Sequence, residues 1–282
     1  SVYKKGFRFG ILIGGIVAVI VLCAIEFSAS ASIVLGVLTM LIVLSLSLAI
    51  AFVRLDNRYK KEIMPILTDA VCPNATYDAK TGVDISLFFA SGIFKQHNNE
   101  VLSNEDGIRG TTGNVDFVFC ESHLAYSEEN IVNGKKRKKR VRHFDGMTFS
   151  AVLSQTAENK AIATTLSTIE GMDATYVKQR NDGTSFGKTF SIFSTSEILP
   201  SIAEQAKQNF VDLYNTIKKN MGESDMTISF WSNKIFIVVP SFRNRFEAKI
   251  FSRLKLQRVY EDFAVINEMG KLAAKLNQGS SL

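Results

Sequence analysis

The chain begins with two apolar stretches, residues 9–25 (FGILIGGIVAVIVLCAI) and residues 31–53 (ASIVLGVLTMLIVLSLSLAIAFV), and neither contains a charged residue. The short segment EFSAS separates them. A helix needs about 20 apolar residues to cross the hydrocarbon core of a bilayer, where its backbone amides bond internally. The sequence therefore predicts a transmembrane helical hairpin over residues 1–55 and a separate domain over residues 56–282.

Basic residues flank this hairpin on both sides. Residues 4–8 hold three cations and residues 54–61 hold four, whereas the turn between the spans holds none. Cations next to a span stay on the cytoplasmic side, so we expect both termini and the main domain to be cytoplasmic. A cleaved signal peptide is the alternative for the first stretch, although a second span follows it at once.

The remaining sequence mixes the periodicities of strands and helices. Alternating apolar residues predict several strands, among them residues 83–89, 115–119, 147–153 and 186–192, and a hairpin over residues 227–239 with its turn at 232–234. Apolar stripes at helical spacing predict two long amphipathic helices, over residues 202–217 and from about residue 246 to 276. Antiparallel strands that carry long helices predict the α+β fold class.

A basic block is the sharpest local feature of the soluble part. It accounts for most of the net charge of +6, and the rest of the chain is close to neutral, which argues against a nucleic-acid-binding face. Anionic lipid headgroups attract each nearby cation by about 1 kcal/mol. A solvated hairpin tip without a ligand, a contact with an acidic protein and a contact with nucleic acid are the alternatives. The candidate contact residues are Lys135, Lys136, Arg137, Lys138, Lys139, Arg140 and Arg142.

Glu121 is a candidate buried carboxylate. It continues the alternation of residues 115–119, so it shares their strand face. If that face is the core, the carboxylate must be paired or neutralised, and Arg142 or His143 could do this. A structural pair and a catalytic or ligand-binding carboxylate are both open readings.

No sequence motif indicates a catalytic residue, a metal site or a cofactor. Residues 107–110 (GIRG) lack the Lys-Ser/Thr pair of a phosphate loop. Cys120 and His123, three apart on a strand, point to opposite faces. His97, His123 and His143 do not have a zinc-like spacing. We therefore expect no cofactor and no metal, and a binding module in preference to an enzyme.

Several short motifs occur in a fixed order after the predicted spans. They are SGIF at 91–94, EDGIRG at 105–110, FVFCE at 117–121, FDGM at 144–147 and FE at 246–247. In this order the chain resembles a bacterial membrane family, domain of unknown function 3137, although Cys120 stands where that family usually has Ser. The resemblance implies a protein of the bacterial cytoplasmic (inner) membrane. It implies no known activity, cofactor or catalytic residue.

Three functions stay open on this basis. The first is a membrane-anchored, non-enzymatic module that binds a protein partner, anionic lipid headgroups or both. The second is a membrane-bound enzyme with a site near Glu121. The third is a subunit of a larger membrane complex or a homo-oligomer, suggested by the apolar stripe of the C-terminal helix.

Overall fold

The computed structural model describes residues 29–132, 135–180, 183–197, 201–243, 245–246 and 256–278. The chain divides into two compact units, with the boundary between Arg58 and Tyr59. The predicted first span, residues 9–25, lies outside the described residues, so a hairpin is not shown. The predicted domains 1–55 and 56–282 stay predictions.

Helix α1 (Ala29–Arg58) contains the predicted second span, residues 31–53. From Gly36 onward most of its apolar side chains are exposed, and that of Met40 is 71% exposed. In the described part of the chain, one helical run, Gly36–Val71, is long and apolar enough to cross a membrane by length and composition. An apolar helix whose side chains are exposed in this way is typical of a membrane span.

A π-helical turn (Tyr59–Ile63) and helix α2 (Met64–Val71) follow α1 in the chain. Pro65 stands in the first turn of α2. Because proline has no N–H, the carbonyl four residues earlier loses its helical partner, and the wide π turn accommodates this gap. The segment leads directly into the sheet through Cys72.

Seven strands form one antiparallel sheet among the described residues. Strand β4 is the longest and pairs with β3, β6 and β7. The order is β1-β2-β3-β4-β6-β5, and β7 also pairs with β4. The strands are β1 (Ala75–Asp78), β2 (Val101–Thr112), β3 (Val115–Val132), β4 (Lys135–Thr164), β5 (Val177–Lys178), β6 (Ser191–Ser194) and β7 (Thr227–Pro240).

Two of the predicted strands contain short helices instead. Residues 83–89 lead into helix α3 (Ile85–Ala90), and residues 186–192 overlap helix α4 (Ser185–Thr189) before β6. The side chain of Asp84 accepts the N–H of Ser86 at 2.7 Å and so caps α3. Apolar residues four apart fit both the strand pattern and the helix pattern. The N-cap hydrogen bonds of Asp84 and Thr184 favour the helix at these two places.

The hairpin predicted at residues 227–239 is also wrong. Residues 227–240 are the single strand β7, which pairs along β4 from Thr164 back to Gly146. Ser232, in the predicted turn, has φ +51° and lies where the register of β4 and β7 shifts. The polar residues therefore mark a β-bulge and not a reversal of the chain.

Helices α5 (Ser201–Met221) and α6 (Leu256–Gln278) correspond to the two predicted long helices, and residues 247–255 of the second prediction lie outside the described residues. They pack against the sheet through buried side chains such as Phe210 and Phe263. A second apolar cluster, which includes Phe88 of α3 and Phe236 of β7, forms apart from the first. The predicted α+β class with an antiparallel core is confirmed.

Candidate anion-binding arm and cleft

The β3–β4 hairpin extends past its neighbours as a two-stranded arm. Strand β2 pairs with β3 as far as Ala125, and β7 pairs with β4 from Gly146 onward. Within the described part of the chain, residues 126–132 and 135–141 therefore pair only with each other. At about 3.4 Å per residue the arm is about 24 Å long. The predicted basic block is one of its two strands.

One face of the arm and of its base carries a row of four cations, which we name the cation ladder: Lys136, Lys138, Arg140 and Arg142. They alternate along β4, so they share a face at intervals of about 7 Å. All four are exposed. Glu129 on β3 lies 3.8 Å from Nζ of Lys136 and 3.5 Å from Nζ of Lys138. Exposed pairs of this kind contribute about 0–1 kcal/mol, and four cations outnumber this carboxylate.

Two other candidate residues of the block lie on the opposite face. Arg137 and Lys139 are exposed there, and Lys139 stands opposite Glu128 in the register. Lys135 pairs with Val132 at the end of the arm. The structure thus divides the basic block between two faces, and the ladder face also includes Arg142.

At the base of the arm the ladder continues into a cleft of about 520 Å³. Arg140 and Arg142 line it from β4, and Phe242 and Arg243 line it from the segment after β7. The ring of Phe242 is 83% exposed, and the guanidinium of Arg142 lies 6.0 Å from its centroid. Cations beside an uncovered aromatic ring suit an anionic group with an apolar neighbour.

Asp145 orients the side chains of Arg142 and His123 at this cleft. Its Oδ2 lies 2.8 Å from Nη1 of Arg142, and its Oδ1 lies 2.9 Å from Nδ1 of His123. The lining of the cleft therefore includes three arginines and the carboxylates of Asp145 and Glu121.

Glu121 is buried in the wall of the same cleft, with 3% of its surface exposed. Its Oε1 accepts the backbone N–H of Arg245 at 3.0 Å. The expected partners are engaged elsewhere, because Arg142 pairs with Asp145 and His143 contacts Glu100. Burial is the main cause that raises the pKa of Glu121 to about 8. The carboxyl group is therefore mostly protonated at neutral pH.

A second buried carboxylate, Asp106, lies at a β-bulge of β2. The register shifts between Glu105 and Ile108, and Asp106 has φ +54°. Its Oδ2 lies 3.0 Å from Nζ of Lys60, and its Oδ1 accepts the hydroxyl of Tyr77. Burial raises the pKa of Asp106, while the Tyr77 hydrogen bond and Lys60 act against burial. This group forms a structural ion pair that fixes the π-helical turn to the sheet.

Arg245 holds the segment that carries Phe242 and Arg243. Its Nη1 lies 3.0 Å from Asp262 Oδ1, and its Nη2 lies 3.1 Å from Glu223 Oε1. Sequence reasoning missed this segment because it follows a strand and has no periodicity. The run FRNR at residues 242–245, which mixes an aromatic residue with cations, is the signal that could have revealed it.

Two of the three histidines come together in a separate cluster. His97 and His143 both contact the carboxylate of Glu170, at 3.0 and 3.1 Å. His97 and His143 are far apart in the sequence, so their spacing does not indicate that they lie close together in the fold.

Residues 142–278, just under half of the chain, match the family model described as "Protein of unknown function (DUF3137)". The predicted resemblance to domain of unknown function 3137 is confirmed over these residues, and the two-span membrane part of that prediction stays a prediction. The DUF3137 match begins at Arg142. It therefore includes α6 and the segment after β7 that carries Phe242 and Arg243, but not Lys136, Lys138 or Arg140. Its description names no activity.

No curated protein matches the chain. The crystal structure of the mycobacterial trehalose monomycolate transport factor A, TtfA, is similar at 10% identity with a TM-score of 0.34. The similarity covers 76% of this chain and 95% of that chain. At this TM-score it supports no conclusion about function.

Proposed function

We propose that this DUF3137 protein is a membrane-anchored, non-enzymatic module whose cation ladder and cleft bind anionic lipid headgroups. The observation that carries the proposal is the row of four cations on one face of the arm, which continues into a cleft with Arg243 and the exposed ring of Phe242. A row of fixed cations matches an array of anions better than a single small ligand.

The energetics of this contact are adequate for a tethered domain. Each cation near an anionic surface contributes about 1 kcal/mol, so the ladder contributes about 4 kcal/mol. The attraction fades within a Debye length of about 8 Å, so the contact must be close. A membrane anchor in the run Gly36–Val71 would hold the module at a high local concentration of headgroups, and weak contacts would then suffice.

The proposed location is the cytoplasmic membrane of a bacterium, with the domain and both termini in the cytoplasm and two spans. The support is the four cations of residues 54–61, next to the apolar helix. Protease treatment of intact spheroplasts and of inverted vesicles tests the orientation. The proposal expects cleavage of the domain in inverted vesicles alone, and cleavage in intact spheroplasts would contradict it.

Flotation with vesicles tests the lipid contact directly. Residues 59–282 form a compact unit of their own and can be used as a soluble fragment. We expect binding to vesicles that contain phosphatidylglycerol and little binding to pure phosphatidylcholine. The paired substitution Lys136→Gln/Lys138→Gln removes about 2 kcal/mol of attraction, which is about 30-fold in partition.

The opposite face of the arm supplies a matched control. Arg137→Gln/Lys139→Gln removes the same charge from the same strand, and we expect a loss of less than about 5-fold, because these cations face away from the proposed contact. Equal losses in the two variants would show attraction by net charge alone and would contradict the ladder. Equal binding to neutral and anionic vesicles would remove the lipid proposal.

A membrane-bound enzyme with its site at Glu121 is the second candidate. A carboxyl group whose pKa is about 8, at the wall of a cleft, is suited to act as a general acid. Incubation of the full chain with bacterial polar and lipid extracts, followed by mass spectrometry, tests this candidate. It requires a turnover that Glu121→Gln abolishes.

The proposed subunit or homo-oligomer has less support from the structure. The apolar stripe of α6, including Phe263, Ile266 and Met269, packs in the core of the chain itself. Size measurement of the full chain in mild detergent tests an assembly, and a monomer without a co-purifying protein would contradict it.

A further inference from the structure

The cluster of His97, His143 and Glu170 has the composition of a transition-metal site. Nε2 of His97 lies 3.0 Å from Glu170 Oε1, and Nε2 of His143 lies 3.1 Å from Glu170 Oε2. One ligand atom from each residue lies within 4.8 Å of the other two. Around a tetrahedral ion with bonds of about 2.0–2.1 Å, ligand atoms are about 3.3 Å apart.

The two imidazole rings are held in place by their surroundings. His143 is the extra residue of a β-bulge in β4, since Arg142 and Phe144 pair with consecutive residues of β3. A bulge of this kind redirects a side chain. The ring of His97 stacks on that of Tyr126 at a centroid distance of 4.0 Å.

Glu100 supplies the outer partner that metal-bound histidines usually have. Its Oε1 lies 3.0 Å from Nδ1 of His143, and the two side chains are 4% and 5% exposed. A carboxylate at Nδ1 holds the proton on that nitrogen and leaves the lone pair of Nε2 for a metal ion. The other oxygen of Glu100, Oε2, is buried without a hydrogen-bond partner.

The charges of the cluster call for a cation. With the proton of His143 on the Glu100 side, a lone pair of Nε2 faces an oxygen of Glu170, and this contact repels unless a proton or a metal ion lies between them. One divalent ion would neutralise the two carboxylates at once.

We propose that His97 Nε2, His143 Nε2 and the carboxylate of Glu170 bind one divalent first-row transition metal ion of the zinc class. Glu100 acts as a positioning residue through His143. The side chain of Glu170 is 52% exposed, so it can turn to present one oxygen, and solvent can occupy the remaining coordination position. The ion would join β4 to the loops that carry His97 and Glu170.

Metal titration of the full chain in detergent tests the site. The protein carries a tag without histidines and is treated with a chelator and then desalted. We expect one equivalent of Co²⁺ per chain, with visible d–d absorption, which Zn²⁺ displaces. Thermal unfolding should shift upward when Zn²⁺ is added, because the ion binds the folded state.

The variants separate this site from adventitious binding. His97→Gln and Glu170→Gln, at positions with 24% and 52% side-chain exposure, should abolish the Co²⁺ spectrum without loss of the fold. Glu100→Gln should weaken binding 10–100-fold. His123→Gln is the matched control, because His123 pairs with Asp145 and not with this cluster, and it should bind as the unmodified chain does.

Two results would overturn the proposal. One is the absence of saturable Co²⁺ or Zn²⁺ binding to the unmodified chain at micromolar concentrations. The other is binding that His97→Gln and Glu170→Gln retain. Neither result bears on the lipid proposal, because the ladder residues take no part in the cluster.

Discussion

Glu121 should make the stability of the domain fall as the pH rises. Its pKa is 4.5 in an ordinary environment and about 8 in the fold. Above pH 4.5 the unfolded chain releases a proton that the folded chain keeps until about pH 8, so the favourable contribution present below pH 4.5 is lost across this window. At about 1.36 kcal/mol per pKa unit, the loss between pH 5 and pH 9 is about 4 kcal/mol.

The substitution Glu121→Gln isolates this effect. The amide oxygen can still accept the N–H of Arg245, but the side chain cannot ionise. Urea unfolding of residues 59–282, followed by the fluorescence of the single tryptophan, Trp231, gives the free energy of unfolding at each pH. We expect the decrease between pH 5 and pH 9 to be smaller in the variant by about 4 kcal/mol.

Glu105→Gln is the control, because Glu105 stands opposite Glu121 in the register but its side chain is 38% exposed. Glu105 is the smallest of the causes that act on the pKa of Glu121, so the variant should keep most of the pH dependence of the unmodified domain. If Glu121→Gln lost as much stability between pH 5 and pH 9 as the unmodified domain, the argument that Glu121 is buried in protonated form would be refuted.

Three further predictions concern the core and the thiols. Phe210→Ala should lower the free energy of unfolding by about 3–5 kcal/mol, because it empties a fully buried site, whereas Phe242→Ala should change it by less than about 0.5 kcal/mol; urea unfolding measures both. Gly107→Ala should cost about 1–3 kcal/mol in the same assay, because its Cβ would lie 2.2 Å from the carbonyl oxygen of Thr81. The thiol of Cys120 should resist brief alkylation in the folded state and react after unfolding, as mass spectrometry would show, because burial raises its pKa.

Long periodic elements were predictable from the sequence, and short ones were not. Helices α5 and α6 repeat their apolar stripe over several turns, which no strand pattern reproduces. Helix α4 together with its C-cap residue, Phe190, covers one such interval, Phe186 to Phe190, and residues four apart lie on one face of a strand as well as of a helix. The side chain of Thr184 accepts the N–H of Gly187 and so favours the helix. A single capping residue of this kind leaves no periodic pattern in the sequence.

The candidate site was predictable residue by residue, but its assembly was not. Alternation along β3 placed Glu121 on the core face, and composition identified the basic block. Neither pattern contains the lengths of β2 and β7, whose ends leave the arm without a further strand partner among the described residues. The bulge that redirects His143 is likewise a property of strand pairing, so the contact between His97 and His143 could not be read from their spacing.

Burial of Glu121 and the charge of the cleft depend on each other. While Glu121 is protonated, the three arginines of the cleft, Arg140, Arg142 and Arg243, face one ionised carboxylate, that of Asp145. Ionisation above about pH 8 adds a second carboxylate to the wall and lowers the attraction for an anion. An anion bound in the cleft would in turn disfavour this ionisation and raise the pKa of Glu121 further, because the linkage is reciprocal. Since each partner favours the other, a buried acid in the wall of a basic cleft is compatible with anion binding, whereas a permanently charged carboxylate at the same position would oppose it.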